Sequence, residues 1–126
     1  MDIYKATVLV VEDNKDSQEV LWRILRHLRI QTSVVPSSED AIHLLEVQQY
    51  DLAVIDLSLP KLDGWGLLNY IRHQPFIASL PTIAITAYHS PELAVKAIDA
   101  GFDAYFSKPL DTAQFIHRVQ NIITHI

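Results

Sequence analysis

Two hydrophobic periodicities alternate along the chain, and that alternation constrains the fold more than any other feature. Thr7–Glu12 (TVLVVE), Leu52–Asp56 (LAVID) and Pro81–Thr86 (PTIAIT) are short, almost unbroken apolar runs. Such runs suit strands buried on both faces, as in a parallel sheet. Gln31–Val35 (QTSVV) is more mixed and Ala104–Ser107 (AYFS) is shorter, which suits sheet edges. Helical stripes separate these runs. Val20, Leu21, Ile24, Leu25 and Leu28 form the first; Ala41, Ile42, Leu44 and Leu45 start the second; Leu67, Leu68 and Ile71 mark the third. Ser90, Pro91 and Glu92 supply an N-cap, an N1 proline and an acidic first turn to a fourth helix, closed by Gly101. Asp111 caps a fifth, with Gln114 three residues on and Leu110 and Phe115 at staple positions. Its stripe is Phe115, Ile116, Val119, Ile122 and Ile123.

Five strands alternating with five helices predict an α/β domain: a doubly wound parallel sheet with right-handed crossovers. Strand ends fall near residues 13, 35, 56, 86 and 108, and each interval holds a helix and a return strand. The 126 residues make one domain, 1–126, long enough to bury a core without staples. The absence of cysteine excludes disulfides and thiolate chemistry and suits a reducing cytosol. Ten Lys+Arg against 15 Asp+Glu give a net charge of −5, without the basic excess or stripe of a nucleic-acid binder. Val8–Val11 is too short for a signal peptide or a membrane span. The expectation is a soluble cytoplasmic domain.

A doubly wound sheet presents its ligand site at the carboxyl ends of its strands. Those ends carry Glu12 and Asp13, then Asp56, Thr86, and Lys108 followed by Pro109. Three carboxylates in one cleft repel unless a cation joins them, and one lysine does not neutralise them. Mg2+, which takes oxygen ligands and keeps several waters, is the natural candidate. A carboxylate beside a divalent cation, an ammonium and a hydroxyl is well placed to receive a phosphoryl group.

Over essentially its whole length the chain resembles the receiver domain of two-component response regulators. The matching elements are VLVVEDN (Val8–Asn14), VIDLSLPKLDG (Val54–Gly64), AITA (Ala84–Ala87) and YFSKPL (Tyr105–Leu110). Each is weak alone; four in order, each at a predicted strand end, are specific. The resemblance implies a flavodoxin-like sheet of order 2-1-3-4-5. It implies Asp56 as phosphoacceptor, Asp13 as direct Mg2+ ligand, Glu12 acting through water, and the Ser58 carbonyl completing the protein ligands. Thr86 and Lys108 match the hydroxyl and lysine that stabilise the phosphoryl group. Thr86 and Tyr105 match the switch positions, and the Lys108–Pro109 bond is expected to be cis. The donor would be a histidine kinase or phosphotransfer protein. The recipient of the signal would be a downstream effector protein or an output domain outside this chain, because the last stripe runs to Ile126. The chain is then either a complete regulator or a receiver cut from a longer protein. Direct binding to nucleic acid or membrane is not expected.

Single residues have plainer readings. Asp56 alone would pass as a cap or turn residue, Asp13 as a cap of the first helix, Thr86 as a strand threonine and Lys108 as a solvated end charge. Tyr105 would pass as edge packing. Their joint occurrence favours the site. Asp63–Gly64 reads as a turn, the glycine supplying positive φ. Trp22 falls off the first stripe. Kinases of the resembled family dock near the first helix, so an exposed Trp22 suits a hot spot, and packing on Arg26 or Gln18 explains it equally. Trp65 reads as structural. The six histidines (27, 43, 73, 89, 117, 125) form no i,i+3 or i,i+4 pair and no HExxH, and read as scattered surface residues. Ile122, Ile123 and Ile126 offer a face for a homodimer, and core packing accounts for them as well.

Many members of the resembled family carry an amide or acid at the position of Ser58 or Tyr88, where it orients the water that hydrolyses the acyl phosphate. Ser58 is small and Tyr88 could shield the site, so slow dephosphorylation is expected. Two rival readings remain. An aspartate-nucleophile phosphatase would need a second acid near the nucleophile, which Asp56–Leu57–Ser58 lacks, and a cap region. A degenerate receiver acting as a scaffold would need none of the acids, the hydroxyl or the lysine.

Overall fold

The computed structural model describes residues 5–125. Five strands, β1 (Thr7–Val11), β2 (Gln31–Val35), β3 (Leu52–Asp56), β4 (Thr82–Thr86) and β5 (Ala104–Ser107), alternate with five helices. The helices are α1 (Lys15–His27), α2 (Ser38–Val47), α3 (Gly64–Arg72), α4 (Pro91–Ala100) and α5 (Thr112–Thr124). All strand pairs are parallel, in the order β2-β1-β3-β4-β5. The expected α/β doubly wound fold is therefore the observed one.

The unbroken apolar runs are the interior strands. Every residue of β3 and β4 is buried, whereas β2 is exposed or half-buried throughout and only Ala104 of β5 is buried. Alternate side chains feed two cores. Leu9, Val11, Ala53, Ile55 and Ala84 pack with Leu45, Leu67, Ile71 and Ala97, under α2, α3 and α4. Val8, Val10, Leu52, Val54, Ile83 and Ile85 pack with Leu21, Leu25, Phe115, Val119 and Ile123, under α1 and α5. Fully burying one such aliphatic side chain contributes roughly 1.5–3 kcal/mol, so the sheet is the rigid frame on which its end loops are carried.

The helix signals act largely as read. Ser90 Oγ accepts the Leu93 N–H, Pro91 opens α4, and Gly101 closes it at φ 117°. Asp111 Oδ1 accepts the Gln114 N–H at the start of α5. Four local readings need correction. Val20 is 49% exposed, and the α1 stripe buries Leu21 and Leu25 instead. The cap of α1 is Asn14, whose Oδ1 accepts the Ser17 N–H, and not Asp13. Asp63 is the N-cap of α3, accepting the Gly66 N–H at 2.9 Å. Gly64 is not a positive-φ residue; a Cβ there would lie 2.3 Å from the Asp56 carbonyl oxygen. The glycine is needed for close backbone approach. Ile123 is fully buried and Ile122 packs on the same cluster, so both belong to the core. Ile126, the third residue of the suggested dimer face, lies outside the described residues. Trp22 packs on Arg26, whose guanidinium lies 5.5 Å from its ring centroid, and it stays 43% exposed.

Candidate metal and phosphoryl site

The parallel sheet delivers the chemistry-bearing residues to one edge. Glu12 and Asp13 follow β1, Asp56 ends β3, Thr86 ends β4 and Lys108 follows β5. Glu12 still joins the ladder, its N–H donating to the Val35 carbonyl at 3.0 Å, and Lys108 N–H donates to the Thr86 carbonyl at 2.8 Å. The backbone thus fixes where these side chains start.

Carboxylate oxygens of Glu12, Asp13 and Asp56 all lie within 4.8 Å of one another. Glu12 and Asp56 are buried, at 0% and 5% exposure, and Asp13 is exposed. Lys108 Nζ donates to Asp56 Oδ2 at 3.1 Å and also to Glu12 Oε1. Asp56 Oδ1 accepts the Ser58 N–H at 2.9 Å, which fixes the carboxylate plane. Glu12 Oε2 accepts the Asn14 N–H at 3.0 Å, and the Glu12 carbonyl accepts from Gln18 Nε2.

The electrostatics follow from burial and crowding. Burial pushes the Glu12 carboxyl up to about 6, with Asp56 adding to the rise and Lys108 and Asn14 opposing it. Burial works against the Lys108 ammonium, but Glu12 and Asp56 outweigh it and hold the group above the ordinary lysine value. Three carboxylates face one ammonium, so the ionised cluster is short of positive charge. Its donors are all oxygen. That set matches a hard divalent cation such as Mg2+.

Thr86 is buried, its Oγ1 accepting the Tyr88 N–H at 3.0 Å. Ser58 and Tyr88 both stand in solvent, Tyr88 being 73% exposed. The Lys108–Pro109 bond is cis. Tyr105 is half-buried against the cluster under α4, and burial raises its phenol above the ordinary value, partly opposed by the Ser90 backbone. Glu12, Asp13, Asp56, Ser58, Thr86, Tyr88, Tyr105 and Lys108, the residues assigned to the site from the sequence, therefore lie at this sheet edge or beside it. Three further participants escaped the sequence reading. Asn14 and Gln18 hold Glu12, and an asparagine just before a helical stripe was a legible cap signal. His89, grouped with the scattered histidines, has Nδ1 2.9 Å from the Tyr105 hydroxyl; its sequence neighbourhood carried no such signal.

The family model of the response regulator receiver domain matches residues 8–120. The chain is 35% identical over 113 residues to an uncharacterized 14.6 kDa protein in the sodA1 3' region of Leptolyngbya boryana, covering 90% of this chain and 86% of that one. It is 28% identical over 116 residues to the transcriptional regulatory protein CusR of Escherichia coli K12, covering 92% of this chain but 50% of CusR. The chain thus spans about half the length of that regulator. Among solved structures, it superposes on the receiver domain of the sensor histidine kinase PA1611 from Pseudomonas aeruginosa PAO1 with a TM-score of 0.86 and 32% identity, covering 95% of this chain and 98% of that one. That structure has a magnesium ion coordinated in its active site cleft. The receiver domain of the Francisella response regulator 1452 matches with a TM-score of 0.89 and 30% identity, covering 96% and 98%. With the sheet order, the clustered acids and these likenesses in agreement, the chain belongs to the response regulator receiver domain family.

Proposed function

We propose that Asp56 accepts a phosphoryl group from a phosphohistidine of a histidine kinase or phosphotransfer protein, in the cytoplasm, and that the adduct switches how the domain binds a downstream effector or output domain. The observation that carries this reading is the cluster of Glu12, Asp13 and Asp56 with Lys108 donating into it. Glu12, Asp13, Asp56 and the Ser58 carbonyl would hold Mg2+, which when bound supplies charge neutralisation for the phosphoryl oxygens.

The protein's own groups do the rest. A carboxylate oxygen of Asp56 attacks phosphorus. The P–N bond breaks and its electron pair leaves on the donor imidazole. Lys108 stays within reach of Asp56 and stabilises the transferring oxygens. Thr86 turns toward the phosphoryl group and donates its O–H to a phosphoryl oxygen, and Tyr105 moves with it. Phosphorylation shifts a two-state equilibrium only by as much as it favours one state. The domain catalyses its own modification and turns over no external substrate. Among the described residues, no helix is long and apolar enough to cross a membrane. Neither Ser58 nor Tyr88 brings an amide or acid to orient a hydrolytic water, so the acyl phosphate is long-lived; a half-life of seconds would contradict that part.

The test is reaction with acetyl phosphate, with and without Mg2+, followed by intact mass. One phosphoryl adduct that requires Mg2+ and is lost in Asp56→Asn is the expected result. An adduct surviving in Asp56→Asn would overturn the assignment.

A further inference from the structure

The loop from Thr86 to Ser90 joins β4 to α4 and is pinned at both ends. At one end Thr86 Oγ1 accepts the Tyr88 N–H at 3.0 Å; at the other Ser90 Oγ accepts the Leu93 N–H at 3.0 Å. Between these pins Ala87, Tyr88 and His89 are exposed. His89 is nevertheless engaged. Its Nδ1 lies 2.9 Å from the Tyr105 hydroxyl, and the two rings are tilted at 42° with centroids 5.7 Å apart. Tyr105 packs on the cluster that contains Ala84, its register partner on β4, and Thr86 lies two residues further along that strand. Thr86 and Tyr105 are therefore connected by a short covalent and hydrogen-bonded path: Thr86 hydroxyl, Tyr88 amide, His89 imidazole, Tyr105 phenol.

We propose that His89 is a positioning residue for Tyr105: its Nδ1 holds the phenol at the β4–α4 loop and couples the Tyr105 rotamer to the hydroxyl of Thr86. A neutral imidazole and a phenol each offer a donor and an acceptor, so the bond forms in either tautomer. Tyr105 also packs on the apolar cluster under α4, whatever stands at position 89. Loss of His89 consequently shifts the ratio of Tyr105 rotamers instead of abolishing the held one. A rotation of Thr86 that carries Oγ1 away from the Tyr88 N–H frees the segment that carries His89. The coupling rests on the phosphoacceptor reading for what turns Thr86; the hold itself belongs to the unmodified chain.

The experiment measures the Tyr105 χ1 populations from three-bond couplings to Cγ in isotopically labelled protein, with the signal assigned by Tyr105→Phe. These couplings do not respond to the ring current lost with an imidazole. In the unmodified wild type one rotamer dominates. His89→Ala lowers the rotamer ratio about fivefold, the worth of one ordinary hydrogen bond. His89→Asn, whose amide reaches the place of Nδ1, restores most of it, and His89→Gln does not. Treatment with acetyl phosphate and Mg2+ then changes the couplings less in His89→Ala than in wild type, with intact mass reporting the adduct in each sample. His89 is exposed, and the dispersion of the amide spectrum confirms each variant's fold. Equal rotamer ratios in wild type and His89→Ala overturn the proposal, as does equal loss in Ala and Asn variants, or an undiminished response of His89→Ala to phosphorylation. If wild type takes no phosphoryl group, the phosphoacceptor reading fails instead, and the couplings of the unmodified chain still decide whether His89 holds Tyr105.

Discussion

Lys108 and Glu12, 96 residues apart in sequence, meet in a hydrogen-bonded ion pair whose carboxylate is fully buried. The same ammonium reaches Asp56 at 3.1 Å. Lys108 is thus the cation that lets two buried carboxylates share one cleft, and under the proposed function the same ammonium would face the transferring phosphoryl group.

Lys108→Met removes that cation and keeps the stem's packing. The rate at which acetyl phosphate modifies Asp56 at saturating Mg2+ is expected to fall about 10²–10³-fold, the usual cost of deleting one preorganised donor to a developing anion. Intact-mass time courses measure it. An unchanged rate would remove Lys108 from phosphoryl stabilisation and leave it a structural counter-ion.

Glu12 predicts a pH dependence of the metal-free protein. Its folded-state value of about 6 lies above the 4.5 of an ordinary glutamate, so the folded chain binds this proton more tightly than the unfolded chain does. Glu12 then costs nothing below about pH 4.5, and its contribution to stability declines as pH rises through about 6, by about 2 kcal/mol in all. Glu12→Gln copies the protonated form and is free of that decline. Urea denaturation of both proteins in chelator should show near-equal stability at low pH and a more stable variant at neutral pH. Parallel curves for the two proteins would mean that Lys108 fully offsets the burial of Glu12.

The two-period pattern made the fold legible because burial acts on it directly. Strands buried on both faces leave continuous apolar runs, as in β3 and β4, and the edge strands β2 and β5 showed their exposure in mixed composition. The site residues were legible because a parallel sheet turns four distant strand ends into one place. What stayed hidden depends on side-chain reach or on backbone proximity. Nothing local tells that Gln18 folds back to the Glu12 carbonyl or that His89 meets a tyrosine 16 residues away. Gly64 was noticed for the wrong reason, since a sequence shows that a glycine is present but not which backbone it must let pass.

Gly64 and Gly66 therefore separate cleanly. A Cβ on Gly64 would stand 2.3 Å from the Asp56 carbonyl oxygen and 2.8 Å from Leu57 Cα, both backbone atoms that cannot give way cheaply. A Cβ on Gly66 would meet the tip of the Leu62 side chain at 2.4 Å, and that side chain can rotate aside. Gly64→Ala is expected to destabilise by about 1–3 kcal/mol, the range for overpacking, and to slow Asp56 phosphorylation by displacing the strand end. Gly66→Ala is expected to cost less and to leave the rate near wild type. Denaturant midpoints and acetyl phosphate kinetics on both variants test this. A Gly66→Ala variant as impaired as Gly64→Ala would refute the close-approach account.

Arg72 gives a prediction about the frame itself. Its guanidinium donates to the carbonyls of Ala78 (3.2 Å), Leu80 (2.7 Å) and Gly101 (2.8 Å) and to Thr82 Oγ1 (2.9 Å). It also pairs with Asp103 at 3.4 Å, and Asp103 Oδ2 in turn accepts the Thr82 N–H at 2.8 Å. One planar fork thereby ties the end of α3 to the loop before β4 and to the turn between α4 and β5. Deleting it leaves several carbonyls without this donor and Asp103 without its cation, so Arg72→Met is expected to destabilise by about 3–5 kcal/mol. Arg72→Lys recovers only part of that, because a point charge with three donors cannot span the positions a guanidinium spans. The site residues are not touched by Arg72 in any of these bonds, so magnesium dependence of the residual folded protein is retained. Full recovery by lysine would show that charge, and not the fork, joins these segments.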